Sequence, residues 1–434
     1  DKMRSKIDKI ANNLEEKLIE YRRDFHKYPE SAWTEFRTAS KVAARLEDLG
    51  YELKIGKEII DGESRMGVPP EEILKKEFER AKKQGANLEY INEFKNGYTG
   101  VLGILENGEG PTIAFRFDMD AVDVDESNSK EHIPFKRDFA SQNQGVMHAC
   151  GHDGHTAIGL TFAELLMDIK DEFSGTIKVI FQPAEEGVRG AKSMAESGIV
   201  DDVDYLFGLH LGMAADSNGE VFAGTKGFLA TSKFDAYFTG APSHAGASPE
   251  LGKNALLAAA NAVNNLYAIS RNSNGVTRIN VGKMNSGSGR NVIAKNAHLV
   301  IETRGKTSEL NDYMYKRAMK ILKASAEMYE NELEIEAMGG AKSGKSDPEL
   351  IKRIMNVAEN LDDFSTVNKI SELGGSEDFT YFMDKVQKNG GLVSFMVLGT
   401  ELAGDHHTAE FDINEKSLIK GVKLLANLVI NTDN

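Results

Sequence analysis

The densest collection of reactive side chains in this sequence is MHACGHDGHTA, residues 147–157. It holds the single cysteine, Cys150, together with His148, His152, Asp153 and His155. A thiolate and several imidazoles in one short segment select a transition metal such as zinc or manganese. Cys150 and His152 are two residues apart, so both reach one ion only from an extended or looped backbone. The helix that follows is therefore expected to begin near Thr156. A second cluster is FQPAEEGVRGA, in which Glu185 and Glu186 follow the apolar run TIKVIFQ. Adjacent carboxylates do not serve helix surface pairing, which uses spacings of three and four. At a strand end they point differently, one to a metal and one to a water. His210 follows YLFGL, His406 and His407 follow LVSFMVL and a loop, and Asp118 and Asp120 follow TIAFRF. Each is a ligand-capable group just beyond an apolar strand, where open α/β sheets collect their ligands.

Such a set suits hydrolysis. A bound divalent ion lowers the pKa of its water from 15.7 to about 7 and polarises a carbonyl oxygen. A carboxylate outside the coordination shell then takes the water proton and returns it to the leaving nitrogen, worth roughly 10²–10⁴ in rate. The Glu185-Glu186 pair offers one residue for each task. Neither a Ser-His-Asp nor a Cys-His nucleophile is needed. The glycine-rich SGSGRN (286–291) lacks the Lys-Ser/Thr ending and the following helix of a phosphate-binding loop.

The elements that must position these groups are legible as periodicities. Ile7, Ile10, Leu14, Leu18, Tyr21 and Phe25 predict a helix over 3–28, and a second is expected over 38–49. The charged segment 58–96 reads as one or two surface helices with Ile73, Leu74, Phe78 and Ala81 on one face. The runs TIAFRF, TIKVIFQ, YLFGL and LVSFMVL, interleaved with helices such as HTAIGLTFAELLMDIK, predict an α/β fold with a mixed, mainly parallel sheet covered by helices. Residues 225–338 change rhythm: strand KFDAYFTG, a helix over 249–269, strands TRINVGKM and HLVIETR, a helix over 310–330, and strand ELEIEAM. That β-α-β-β-α-β order is the ferredoxin-like unit. It predicts an inserted α+β domain at 225–338, leaving 1–224 and 339–434 as a discontinuous metal-binding domain.

MHACGHDGHTA, FQPAEEG, SHAGASPELGKNAL and GGSEDF resemble the aminoacylase/carboxypeptidase superfamily of metal-dependent amidohydrolases. They are most similar to its N-acyl-amino-acid amidohydrolase branch, which includes hippurate hydrolases and plant auxin-conjugate hydrolases. The resemblance runs over nearly the whole chain. ESRMGVP and KEFERAKKQGA in the 58–96 segment, with GSGRNVI and HHTAEFDINE, resemble the members of that branch that act on p-aminobenzoyl-glutamate. The resemblance thus implies hydrolysis of this folate fragment to p-aminobenzoate and glutamate. The alternatives are hydrolysis of other N-acyl amino acids, hippurate-like or N-acetyl, and a non-catalytic partner subunit.

The same resemblance implies two divalent metal ions, Mn²⁺ ahead of Zn²⁺, held by Cys150, His152, Glu186, His210 and His407, with His406 the weaker candidate. Glu185 matches the general base. His244, in SHAGASP, resembles a histidine that reaches the active site of the opposite protomer and stabilises the oxyanion. Asn291 resembles a substrate-positioning residue, with Arg290 beside it. Arg304 is a candidate for a substrate carboxylate or for a structural ion pair. Gly375, with Gly374 and Ser376, resembles a loop beside the scissile amide. The inserted domain resembles a lid and dimerisation module, implying a homodimer or a heterodimer with a related subunit. Two departures stand out: Asp118-Met119-Asp120 replaces the His-x-Asp of the carboxypeptidase branch, and Cys150 stands where that branch has a bridging aspartate.

Composition sets the outer bounds. The chain has 434 residues, 41% of them hydrophobic, which excludes a disordered chain. Its net charge of −15 argues against nucleic-acid and anionic-membrane partners. One cysteine allows no disulfide within the chain. No run reaches the roughly 18–20 apolar residues of a membrane span, and DKMRSKIDKIANNLEEK has no signal-peptide core. A cytoplasmic enzyme with a reduced Cys150 is the expectation.

Overall fold

The computed structural model describes residues 1–431. Twelve strands occur among them: β1 (Glu52–Ile55), β2 (Val101–Asn107), β3 (Thr112–Asp118), β4 (Gly175–Gln182), β5 (Tyr205–Leu211), β6 (Glu220–Phe228), β7 (Ala230–Thr239), β8 (Thr277–Ser286), β9 (Asn296–Gly305), β10 (Glu332–Ala341), β11 (Thr366–Gly375) and β12 (Leu392–Leu398). The chain divides into two compact units. One comprises 1–226, 345–373 and the described residues from 381 onward; the other comprises Gly227–Gly344 and Gly374–Thr380.

The first unit is built on an eight-stranded sheet of order β1-β2-β4-β3-β5-β12-β6-β11. Its centre is parallel: β3 pairs with β4 and with β5, and β5 pairs with β12. The flanking pairs β1–β2, β2–β4 and β6–β12 are antiparallel. The central strands are buried almost without interruption. Burial on both faces is why they read in the sequence as continuous apolar runs with no alternation. Helices Lys2–Lys27, His152–Asp168 and Leu418–Ile430 pack on one another, and the second also lies on β3, β4 and β5. The strands β1, β2, β6 and β11 fall outside the runs singled out above; β1 and β11 alternate only weakly in burial and carry charge.

The helix expected over 38–49 starts at Phe36 and stops at Gly50, which adopts a left-handed cap at φ +100°. In the charged segment one α-helix forms, Glu71–Lys83, burying Leu74, Phe78 and Ala81, with short 3₁₀ helices at Gly62–Ser64 and Ile91–Gly97. Ile73 is not on that face and is 45% exposed. Positions 74, 78 and 81 follow the helical repeat, whereas 73 lies one step, about 100°, around the cylinder.

The second unit carries a four-stranded sheet of order β10-β7-β9-β8 with antiparallel pairing throughout. Helices Ala255–Tyr267 and Ser308–Met328 bury their small and apolar faces against Phe234, Ala236, Phe238, Leu299 and Ile301. This is the ferredoxin-like arrangement read from the β-α-β-β-α-β order. The first of these helices starts later than 249 because Asn254 caps it, accepting from the Leu257 amide at 3.2 Å, while Pro249–Leu251 forms a separate 3₁₀ turn. Strand β10 extends past 338, with Ala341 still paired to Thr231.

Candidate metal centre

Parallel pairing places the C-terminal ends of β3, β4, β5 and β12 on one edge of the sheet. Strand β3 ends on Asp118, β4 leads into Glu185 and Glu186, His210 is the penultimate residue of β5, and β12 leads to His406 and His407. Cys150 joins them through one backbone feature. Gly151 adopts φ +84° and caps a helix that begins at His152, four residues before the expected Thr156. A left-handed turn that glycine enters without a Cβ penalty, and not an extended segment, brings residues two apart to one place.

Among the described residues of the first unit the donors assemble in four overlapping groups, each with its ligand atoms mutually within 4.8 Å: Cys150 with His152 and His210, Cys150 with Glu186 and His407, His152 with Glu185 and Glu186, and Asp118 with His152 and His155. Cys150 Sγ lies 3.7 Å from His210 Nε2, and His407 Nε2 lies 3.3 Å from Glu186 Oε1. His152 Nε2 lies 3.7 Å from Glu186 Oε1 and 3.9 Å from Glu185 Oε2. His152 Nε2 and Glu186 Oε1 are buried without a hydrogen-bond partner. Buried polar atoms rarely stay unpaired in a native protein. Two such atoms within a cluster of thiol, imidazole and carboxylate fit a divalent cation.

Electrostatics point the same way. Burial and the Glu186 carboxylate push the Cys150 thiol up. The adjacent Cys150 thiol and the Glu186 carboxylate, 3.3 Å away, raise His407 to about 10. Burial opposes charge on His152, yet the Asp118 carboxylate and the bond to Asp120 hold it well above the usual imidazole range. Protons here neutralise a concentration of anionic donors, a task that metal binding takes over with proton release. Burial and the neighbouring His155 hold His210 well below the usual range, as a neutral ligand must be.

The remaining members of the sequence clusters serve other roles. His155 Nδ1 donates to Asp118 Oδ1 at 2.6 Å and its Nε2 accepts from the Leu211 amide at 2.9 Å, so both ring nitrogens are engaged within the protein. His406 Nε2 accepts from the Met213 amide at 3.1 Å, and only its Nδ1 faces Cys150 Sγ, at 3.5 Å. His148 is buried with neither ring nitrogen hydrogen-bonded to the protein, and burial lowers it to about 4. Asp120 accepts from the backbone amides of Glu185 (3.0 Å) and Glu186 (2.8 Å) and touches His152 Nδ1 at 3.3 Å. It fixes the backbone from which both carboxylates project. Arg22 and His26 on the first helix, which no motif flagged, hold Asp153 at 2.9 and 2.8 Å. Their signal was a basic and an imidazole side chain four residues apart, in line with Leu18 on an otherwise apolar stripe.

Within the second unit, His244 and the Arg290–Asn291 turn are neighbours. His244 bridges to Val292, and the Ala245 amide donates to the Asn291 carbonyl at 2.9 Å. His244 Nδ1 accepts from the amides of Gly246 (3.1 Å) and Ala247 (3.0 Å), so its Nε2 carries the proton and is presented outward on an exposed ring. Arg290 and Asn291 are exposed. Arg304 is elsewhere: it sits near the far end of β9 and pairs with Glu302 at 3.1 Å. The Gly375 carbonyl accepts from the Leu229 amide at 2.8 Å, and Gly374 takes φ +64°.

The profile of peptidase family M20/M25/M40 matches residues 114–431. An indole-3-acetyl-aspartic acid hydrolase from Enterobacter agglomerans is 46% identical over 98% of this chain and 98% of its own. A p-aminobenzoyl-glutamate hydrolase subunit from Escherichia coli is also 46% identical, again over 98% of each chain. The crystal structure of an aminobenzoyl-glutamate utilization protein from Klebsiella pneumoniae superposes with a TM-score of 0.86 at 40% identity, covering 98% of both chains.

Proposed function

Because this chain belongs to peptidase family M20/M25/M40 and is a metal-dependent hydrolase, we propose that it cleaves the amide joining an aromatic acyl group to an acidic amino acid, with p-aminobenzoyl-glutamate as substrate. Two relatives of equal identity are named for such conjugates, one of aspartate and one of glutamate. The observation that carries the chemistry is the Glu185-Glu186 pair, both amides held by Asp120, with both carboxylates beside His152 and only Glu186 also grouped with Cys150 and His407.

Cys150, His152, Glu186, His210 and His407 would hold the metal. Cys150 belongs to two donor groups that differ in every other member, so the donor set would suffice for two ions. Mn²⁺ is the preferred occupant and Zn²⁺ the alternative, since cysteine and histidine suit both. When bound, the metal supplies an activated water and a polarised carbonyl. Glu185 takes the water proton and delivers it to the departing amino nitrogen. The outward Nε2–H of His244 suits hydrogen bonding to the developing oxyanion, with the second unit acting as a lid and dimerisation domain that places this ring in a partner protomer. Arg290 and Asn291, beside it, contact substrate. No helix among the described residues is long and apolar enough to cross a membrane; a reducing cytoplasm suits a thiolate ligand.

The direct test is Glu185→Gln in enzyme reconstituted with Mn²⁺. Hydrolysis of p-aminobenzoyl-glutamate should fall by roughly 10²–10⁴ with the metal retained. Unchanged turnover would remove Glu185 as the base. Equal turnover of p-aminobenzoyl-glutamate and hippurate would remove the substrate preference.

A further inference from the structure

Among the described residues, every arginine of the first unit except Arg65, Arg189 and the exposed Arg137 has a carboxylate within 3.8 Å. Arg65 and Arg189 are partly buried, and among the described residues their hydrogen bonds go only to carbonyl oxygens. Arg189 follows Glu186 by three residues and Glu185 by four. Its Nε donates to the Glu186 carbonyl at 2.8 Å, and one Nη approaches the Gly67 carbonyl at 3.5 Å. The guanidinium lies against Gly187, where a Cβ would stand 2.9 Å from Nε; the glycine, at φ +76°, makes room for it. Five N–H donors are available on a guanidinium, and no described residue accepts from the second Nη of Arg189.

Arg65 belongs to the loop that contacts Arg189. One of its Nη atoms donates to the Asn96 carbonyl at 2.7 Å, and its guanidinium stacks 3.8 Å from the centre of the Tyr98 ring. Its Nε is buried and unpartnered, and burial lowers its pKa. The loop is pinned on two sides: the Trp33 indole donates to the Met66 carbonyl at 2.7 Å, and the Asp61 amide donates to the Ser193 carbonyl at 2.9 Å. This part of the 58–96 segment is thus built against the loop that carries Glu185 and Glu186. In a chain of net charge −15, two partly buried guanidiniums left without an anion beside that loop are an unbalanced feature, since desolvating a cation is costly until an anion is paired with it. Planar guanidiniums match carboxylates with paired hydrogen bonds.

We propose that Arg189, supported by Arg65, forms an anion-binding subsite in the first unit that takes the side-chain carboxylate of an acidic amino acid in the substrate. The proposal rests on the amide-hydrolase reading above and assigns its selectivity for glutamyl or aspartyl conjugates. The 58–96 segment, through its 61–67 loop, then has a role in specificity.

The test compares p-aminobenzoyl conjugates of glutamate, glutamine and glycine on the full-length, metal-loaded enzyme. All three retain the scissile amide and the α-carboxylate; only the first has the side-chain charge. Wild type should prefer glutamate over glutamine. In Arg189→Gln the glutamate-to-glutamine ratio of kcat/KM should drop about 10- to 100-fold, carried by KM, as expected for loss of a charged hydrogen bond. Arg65→Gln should lower the ratio less, and Arg189→Lys should restore part of it. Metal content and Tm are measured alongside, and Arg65→Gln and Arg189→Lys carry the test if Arg189→Gln does not fold. An unchanged ratio in the folded variants overturns the subsite, as does a parallel fall for all three conjugates. Equal cleavage of all three by wild type removes the subsite while the amide-hydrolase reading stands. Cleavage of none removes both.

Discussion

Taking a guanidinium out of water costs several kcal/mol unless anions replace its hydration. Arg22, wholly buried, meets that cost with Asp153 at 2.9 Å, Asp412 at 2.7 Å and Glu415 at 3.3 Å. His26 shares Asp153 Oδ2 with Arg22 and reaches Glu126 at 2.7 Å, so it donates from both ring nitrogens. Burial opposes that charge, but the bonds to Asp153 and Glu126 win and raise His26 from 6.5 to about 9. Its stabilisation is therefore complete below about pH 6.5 and is lost as the pH rises through about 9, up to about 3 kcal/mol. The Tm gap between wild type and His26→Gln should narrow over that interval, read by thermal unfolding at successive pH values; a constant gap would show that His26 is not charged in the fold. Asp153 adjoins His152, so this network anchors the helix start that carries a ligand. Cys150→Ala should leave the far-ultraviolet circular dichroism intact and lower bound metal, measured by elemental analysis after dialysis. Full metal retention would remove the thiolate from the site.

Two short elements do the positioning. The loop after β4 holds three left-handed residues in five positions: Ala184 at φ +56°, Gly187 at φ +76° and Val188 at φ +53°. Non-glycine residues enter this region at a cost of order 1–3 kcal/mol each and persist where the surroundings over-determine them. Here Asp120 supplies that constraint through the amides of Glu185 and Glu186. Gly151 is the other element. Gly151→Ala forces an L side chain to φ +84°, costing about 1–2 kcal/mol. It should lower Tm by a few degrees and weaken metal binding more than stability, as read by calorimetric titration; unaltered affinity would mean the Cys150–His152 geometry does not depend on that turn. The apolar strands β3, β4, β5 and β12 were legible because double-sided burial leaves a continuous hydrophobic signature. The start of helix His152–Asp168 was not, because a left-handed cap is a backbone property that the letters Cys-Gly-His do not distinguish from a loop.

At the scale of the whole molecule, the outward Nε2–H of His244 is the feature that a second protomer would use. If His244 acts in a partner's site, His244→Ala and Glu185→Gln homodimers are both impaired, yet subunit exchange between them creates one intact site per mixed dimer. Activity of about one quarter of wild type is then expected after random exchange. No recovery on verified exchange would place His244 in its own chain's chemistry. What the sequence by itself determined was the class of chemistry and the set of candidate donors. Thiol, imidazole and paired carboxylates carry their chemistry in their side chains, and apolar periodicity placed them at strand ends. Tertiary structure decided which donors meet. His155 is taken up by Asp118 and the Leu211 amide, His406 Nε2 by the Met213 amide, and Arg304 by Glu302, whereas His407 faces Cys150 and Glu186. Apart from Glu302, on the same strand as Arg304, those partners come from strands and loops distant in the chain. A histidine's role is set by which of its two nitrogens remains free, and only the folded neighbours fix that.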